Sequence, residues 1–227
     1  MKNILKNPAV ILAFVTAIIM GFYTAYVCLE NIKYNVIFAM SAAIYKYGTR
    51  YLILGVFLFI DYSVYQILSR LFLVFRSKNM GYFIRRMIIM EIIVIFLFSF
   101  FLFFPVVITN FAPIIENFLD FCIFVSNMIV IFIFISSLVS LINVFIKNRL
   151  FSIICFFACY TIIDFIMAHI AFMFLEDFYL LPEHIFNFSI VIPNYWILFF
   201  ALLITSYFLF SISTSLMVRK DYMIKND

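Results

Sequence analysis

Glycine is scarce in this chain, with four residues in 227, and that scarcity removes whole classes of chemistry. With only Gly21, Gly48, Gly55 and Gly81 available, neither a G-x-x-x-x-G-K-[ST] phosphate loop nor a dinucleotide fingerprint can be written, so the chain cannot hydrolyse ATP alone. H-E-x-x-H, G-x-S-x-G and S-x-x-K are also missing, which removes the common metalloprotease and serine-nucleophile readings. Charge is equally thin. Asp, Glu, Lys and Arg make up 11% of residues, against roughly a quarter in an ordinary soluble domain. The four cysteines show no metal-ligand spacing. Cys155 and Cys159 lie one helical turn apart and are expected to pack structurally; Cys28 and Cys122 are near enough in level for a disulfide but read as two unrelated thiols.

What the chain has in abundance is apolar surface: 68% of residues are hydrophobic and 22% aromatic. Six apolar stretches account for nearly all of it: Pro8 to Cys28, Tyr51 to Ser69, Met87 to Thr109, Phe121 to Ile146, Leu150 to Phe174 and Tyr195 to Met217. About 20 residues at 1.5 Å each cross a hydrocarbon layer of about 30 Å, and backbone groups inside lipid must bond internally. The expected fold is therefore an all-α membrane protein of six transmembrane helices in one domain covering residues 1–227. The first stretch follows Lys2 and Lys6 like a secretory signal, but its apolar length exceeds one and it is expected to be retained.

Lys and Arg retained in cytoplasmic connections fix the expected orientation. With both termini inside, Lys2, Lys6, Arg70, Arg76, Lys78, Arg85, Arg86, Lys147, Arg149, Arg219, Lys220 and Lys225 face the cytoplasm and only Lys33, Lys46 and Arg50 face outward. The connections Asn110 to Asp120 and Leu175 to Asn194 carry no Lys or Arg. The composition, rich in isoleucine, phenylalanine, lysine and asparagine, suits an AT-rich bacterial genome, so a bacterial plasma membrane is the expected location.

Ionisable side chains inside the spans need partners or a wet cavity, because a charge at mid-depth costs at least about 2.5–3.5 kcal/mol. Asp61 and Asp164 sit near the middles of the second and fifth spans and claim either an interhelical role or a place in a pathway. Glu91, about one turn inside Arg85 and Arg86, is expected to reach back to the cytoplasmic interface and pair there. His169 stands about 140° round the helix from Asp164 and reads as a hydrogen-bonded interior histidine. Ser136, Ser140 and Asn143 share one narrow face of the fourth span and are expected to pack helices, as are Ser211, Ser213, Thr214 and Ser215 in the sixth. Phe96, Phe98, Phe100, Phe101, Phe103 and Phe104 run all round their helix, which lipid contact explains.

Two connections stand out. Arg70 to Arg86, RLFLVFRSKNMGYFIRR, has five cations and a break at Ser77 to Gly81; the second span is expected to continue into the cytoplasm before turning, either to meet a partner or to hold anionic headgroups. Leu175 to Asn194, LEDFYLLPEHIFNFSIVIPN, is too apolar for a free loop and is expected to re-enter the outer leaflet, turning at Pro182 and Glu183, passing His184 and closing at Pro193. Asn35 to Ile44 either behaves similarly or extends the second span.

This layout, with DYSVYQILSRLFLVFRSKNMGYFIRRM from Asp61, resembles the permease subunits of ABC transporters of the type-2 exporter class, in particular small bacterial permeases of peptide-export or bacteriocin-immunity systems. The resemblance implies a pair of six-span subunits, identical or related, and a separate ATP-binding subunit that holds ATP and Mg. It also implies a coupling connection in which Arg70, Phe72, Phe75, Arg76, Lys78, Tyr82, Arg85 and Arg86 dock on that ATPase. The cargo it implies is an amphipathic peptide or a lipid, and no nucleic acid. Three other readings stay open: an ion- or proton-coupled carrier using Asp61, Glu91, Asp164 and His169; an intramembrane enzyme using His169 or His184; and a non-transporting immunity or scaffold protein.

Overall fold

The computed structural model of the chain describes residues 7–31, 39–40, 43–44, 47–75, 80–174 and 195–225. Within them run the helices α1 (Pro8–Asn31), α2 (Tyr47–Phe75), α3 (Met80–Thr109), α4 (Phe111–Glu116), α5 (Phe118–Ile146), α6 (Arg149–Phe174) and α7 (Tyr195–Lys225), and no strand occurs among the described residues. Six segments are long and apolar enough to cross a bilayer: Pro8–Leu29, Thr49–Ile67, Met87–Thr109, Phe118–Ile146, Arg149–Ile166 and Phe199–Leu216. The chain is a multi-pass helical membrane protein, and the six windows fall on the six sequence spans with shifts of a few residues at most ends. Residues 175–194, where re-entry is expected, lie outside the described residues. Of the stretch 35–44, the described Ala39, Met40, Ala43 and Ile44 are helical and fully buried, so this stretch contributes to the core.

Helix α5 is the centre of the bundle, packing against α7, α6 and α3, while α1 packs on α3 and α2. Its enclosure explains why it carries three buried serines and two buried asparagines: these polar groups meet protein, while Ser126 is exposed. At mid-bundle the rings of Phe57, Phe98 and Phe132 meet with centroids 4.6–5.8 Å apart, all fully enclosed. Tilted and edge-on pairs at this spacing add about 0.5–1.5 kcal/mol each beyond area burial. Small residues set the other close contact. A Cβ on Gly21 would lie 2.9 Å from the Pro105 ring and closer still to the Leu102 carbonyl, so α1 and α3 touch where one helix has no side chain.

Two packing expectations need correction. The phenylalanine run of α3 is divided: Phe98 and Phe103 are core residues and Phe101 packs on Phe14, while Phe96, Phe100 and Phe104 are exposed. Lipid contact accounts for the second group only, because neighbours cover two sides of α3. Cys155 and Cys159 do not pack; they lie on the exposed face of α6, and Cys28 and Cys122 are free thiols.

Helices α2 and α3 both run past their apolar windows at one end. α2 continues to Phe75, eight residues beyond Ile67, and α3 begins at Met80, seven before Met87. At 1.5 Å per residue that is about 10–12 Å of helix on each side of residues 76–79, which lie outside the described ones. The helix beyond Ile67 matches the expected prolongation of the second span and, with the start of α3, gives the bundle a marked hairpin end.

Candidate functional site

The charges expected inside the spans do not stand alone. They form two ionic clasps between α2 and α6, one toward the hairpin end and one toward the opposite end.

The inner clasp begins with a turn. α5 ends at Lys147, which adopts a left-handed conformation (φ 60°) and donates its N–H to the Asn143 carbonyl at 2.8 Å. Asn148 then caps the next helix, its Oδ1 accepting the N–H groups of Leu150 at 3.0 Å and Phe151 at 3.3 Å. The reversal takes two residues, so Arg149 enters the first turn of α6 directly beneath the bundle. A cation there opposes the helix dipole by about 0.3–1 kcal/mol, and carboxylates from two other helices offset it. Arg149 donates Nε to Asp61 Oδ2 at 3.1 Å and Nη2 to both Asp61 oxygens at 2.8 Å. The same Nη2 reaches Glu91 Oε1 at 3.3 Å, and Nη1 donates to Ser140 Oγ at 2.9 Å. Ser136 Oγ lies between the carboxylates, 3.3 Å from Asp61 Oδ1 and 3.2 Å from Glu91 Oε2. Below them the Tyr65 ring lies 5.1 Å from the guanidinium, and its hydroxyl accepts from Asn143 Nδ2 at 3.3 Å. Side chains from α2, α3, α5 and α6 thus meet in one enclosed polar cluster; Arg149, Asp61 and Glu91 are each at most 5% exposed.

The outer clasp joins Arg50 of α2 to Asp164 of α6, and the Tyr51 hydroxyl donates to the same Asp164 Oδ2. Tyr51 is held edge-on by Phe157 and Tyr160 of α6, at 6.3 and 6.1 Å between centroids. The pairing is crosswise. Each helix has an arginine near its start and an aspartate eleven (α2) or fifteen (α6) residues later, so antiparallel packing brings Arg50 to Asp164 and Asp61 to Arg149. Along α2 the clasps stand about 16 Å apart, with Phe57 between them.

Several sequence expectations change here. Glu91 does not reach back to Arg85. Six residues place Arg85 about 120° round the helix from it; Arg85 is exposed, whereas Glu91 is 5% exposed and faces Ser136 and Arg149. Arg149 and Arg50, counted as connection cations, are bundle residues, 4% and 3% exposed. Ser136 and Ser140 do more than pack helices, since they hydrogen-bond the charged groups. In α7 the polar group divides: Ser213 is buried and, like Thr214, donates to its own helix, at Leu209 and Phe210 respectively, while Ser211 and Ser215 are exposed.

Asp61, Ser136 and Ser140 are brought together, Asn143 lies next to them through Tyr65, and Asp164 belongs to the other clasp. His169 lies in α6, its side chain outside the described residues, and Pro182, Glu183, His184 and Pro193 are outside them entirely. Of the expected coupling residues, Arg70, Phe72, Phe75, Tyr82 and Arg86 have described helical backbone only, Arg85 is exposed, and Arg76 and Lys78 lie outside the described residues. Sequence reasoning assigns Glu91 a different partner and gives Arg149, Arg50 and Tyr51 none; the crosswise arginine and aspartate order in spans two and five is the signal that could have found the arginines.

Among the described residues no group of three or more His, Cys, Asp or Glu could hold a metal ion. An apolar cleft of about 270 Å³ opens sideways between α1 and α2, lined among others by Ala13, Thr16, Tyr51, Gly55 and Val56. Tyr51 therefore touches both the cleft and the outer clasp. No protein family, curated protein or solved structure matches this chain.

Proposed function

We propose that the chain is the membrane-embedded permease subunit of an ABC transporter, moving an amphipathic peptide or a lipid across a bacterial plasma membrane with ATP and Mg held by a separate subunit. The observation that carries the reading is the helical hairpin. α2 and α3 leave the apolar windows without interruption on either side of residues 76–79, which include Arg76 and Lys78, with Arg70, Arg85 and Arg86 on the two helices. Such a lever turns a push at its tip into tilt of two spans, and α2 carries half of each ionic clasp. Five cations on the lever suit an acidic cleft on the motor subunit, with Phe72, Phe75 and Tyr82 filling apolar pockets. The lateral cleft beside Tyr51 suits an apolar chain entering from lipid.

The test is purification in mild detergent followed by reconstitution. A soluble nucleotide-binding polypeptide is expected at stoichiometric ratio, and the combined Arg76→Ala, Lys78→Ala, Arg85→Ala variant is expected to lose substrate-stimulated ATP turnover while the bundle stays folded. Undiminished turnover removes the coupling role, and reporter fusions placing the hairpin outside the cell defeat the reading.

A further inference from the structure

The inner clasp has a hydrogen-bond count that does not close without one more proton. Ser136 Oγ contacts both Asp61 Oδ1 and Glu91 Oε2, yet a serine hydroxyl carries a single proton and donates once. With both carboxylates ionised, one of these contacts sets lone pair against lone pair. The cluster then also carries two negative charges against one guanidinium, in a site closed to water on every described side. A proton on one carboxyl settles both: Glu91 Oε2–H donates to Ser136 Oγ, Ser136 donates to Asp61 Oδ1, and the charges sum to zero.

The geometry selects Glu91 as the carrier. Asp61 receives three contacts from Arg149, two at 2.8 Å and one at 3.1 Å, while Glu91 receives one at 3.3 Å. We propose that the inner clasp is a binding site for a single dissociable proton, held on Glu91 and relayed to Asp61 through Ser136.

A second observation points to how the proton reaches it. Asn143, 4% exposed, shares the α5 face of Ser136 and Ser140, and its Oδ1 has no hydrogen-bond partner among the described residues. This open acceptor stands beside Tyr65 and one turn from the Lys147–Asn148 reversal, at the hairpin end of the polar file. A proton leaving Glu91 passes to Ser136 while Ser136 gives its own to Asp61, so the transfer leaves serine unchanged and the acid form moves from one carboxyl to the other. The groups facing Glu91 are Asp61 and Tyr65 from α2, Ser136 from α5 and Arg149 from α6. α1 has no titratable side chain from Asn7 to Phe22, and α7 has none from Phe208 to Met217. The inference does not depend on an ATPase partner.

Infrared difference spectroscopy of the purified full-length protein in lipid tests it. A carboxylic-acid C=O band is expected that vanishes as pH rises and is missing in Glu91→Gln. Thermal unfolding gives an independent readout. A carboxyl that binds a proton in the folded state and releases it on unfolding makes stability fall as pH rises, so the unfolding midpoint of wild type should fall with pH and that of Glu91→Gln should be flatter. The amide mimics the acid form, so its midpoint is expected to equal or exceed wild type, while Asp61→Asn lowers it. An acid band that persists in Glu91→Gln, a band that responds to sodium instead of pH, or a silent Asp61→Asn beside a damaging Glu91→Gln overturns the proposal.

Discussion

The two clasps use the same pair of helices and the same ion-pair chemistry, yet they are built to different ends. The inner one draws on four helices, gives its guanidinium two carboxylates and one serine, sets a second serine between the carboxylates, and holds a surplus of acid. The outer one draws on two helices, sets one arginine against one aspartate, and adds a tyrosine that also lines a lipid-facing cleft. Opening the inner clasp means separating most of the bundle. Opening the outer clasp means parting α2 from α6 alone. The same interaction therefore acts as a keystone in one place and as a latch in the other, according to how many helices share it.

Removing the inner cation should have the largest effect. Arg149→Met strands Asp61 and Glu91 in the bundle, and a loss of about 3–5 kcal/mol is expected, seen as failure to accumulate or as a much lower unfolding midpoint. At the outer clasp, Asp164→Asn should cost less, about 1.5–3 kcal/mol by the same measurement, since Arg50 keeps Tyr51 beside it. The Arg50→Leu, Asp164→Leu pair sharpens the contrast. With both charges gone the seam can close apolar, and stability within about 1 kcal/mol of wild type is expected; a double variant worse than Asp164→Asn would mean the outer pair stabilises in its own right. Tyr51→Phe is the smallest change, about 0.5–1.5 kcal/mol, because it removes one hydrogen bond and leaves the ring contacts.

The six spans were legible because hydropathy reports length and lipid exposure, which the bilayer imposes on every residue of a span. Azimuth was not legible, because these helices are apolar on all sides and the usual periodic stripe is missing. Phe98 and Phe100 look alike in sequence and face opposite surroundings. Glu91 was misplaced for the same reason: nearness along the chain suggested Arg85, while rotation about the helix sends the two apart. Arg50 and Arg149 were hidden by position, since a cation at the margin of an apolar run is ordinarily a solvated flank. The two-residue reversal at Lys147 and Asn148 turned one of them inward. Ser136, Ser140 and Asn143 were visible as one face, and only the packing of α2, α3 and α6 onto it revealed that the face binds charge.

The crosswise order of arginine and aspartate also bears on how the protein is made. Asp61 and Arg149 lie 88 residues apart, so at about 5–20 residues per second the acid waits roughly 4–18 s in the ribosome-bound chain for its counterion to be synthesised. Once Glu91 is made, 30 residues after Asp61, the nascent spans hold two uncompensated carboxyls, and only the fifth insertion event completes the enclosure. Quality control of this polypeptide thus has a natural checkpoint, and fragments terminating before residue 149 should be cleared by membrane proteases.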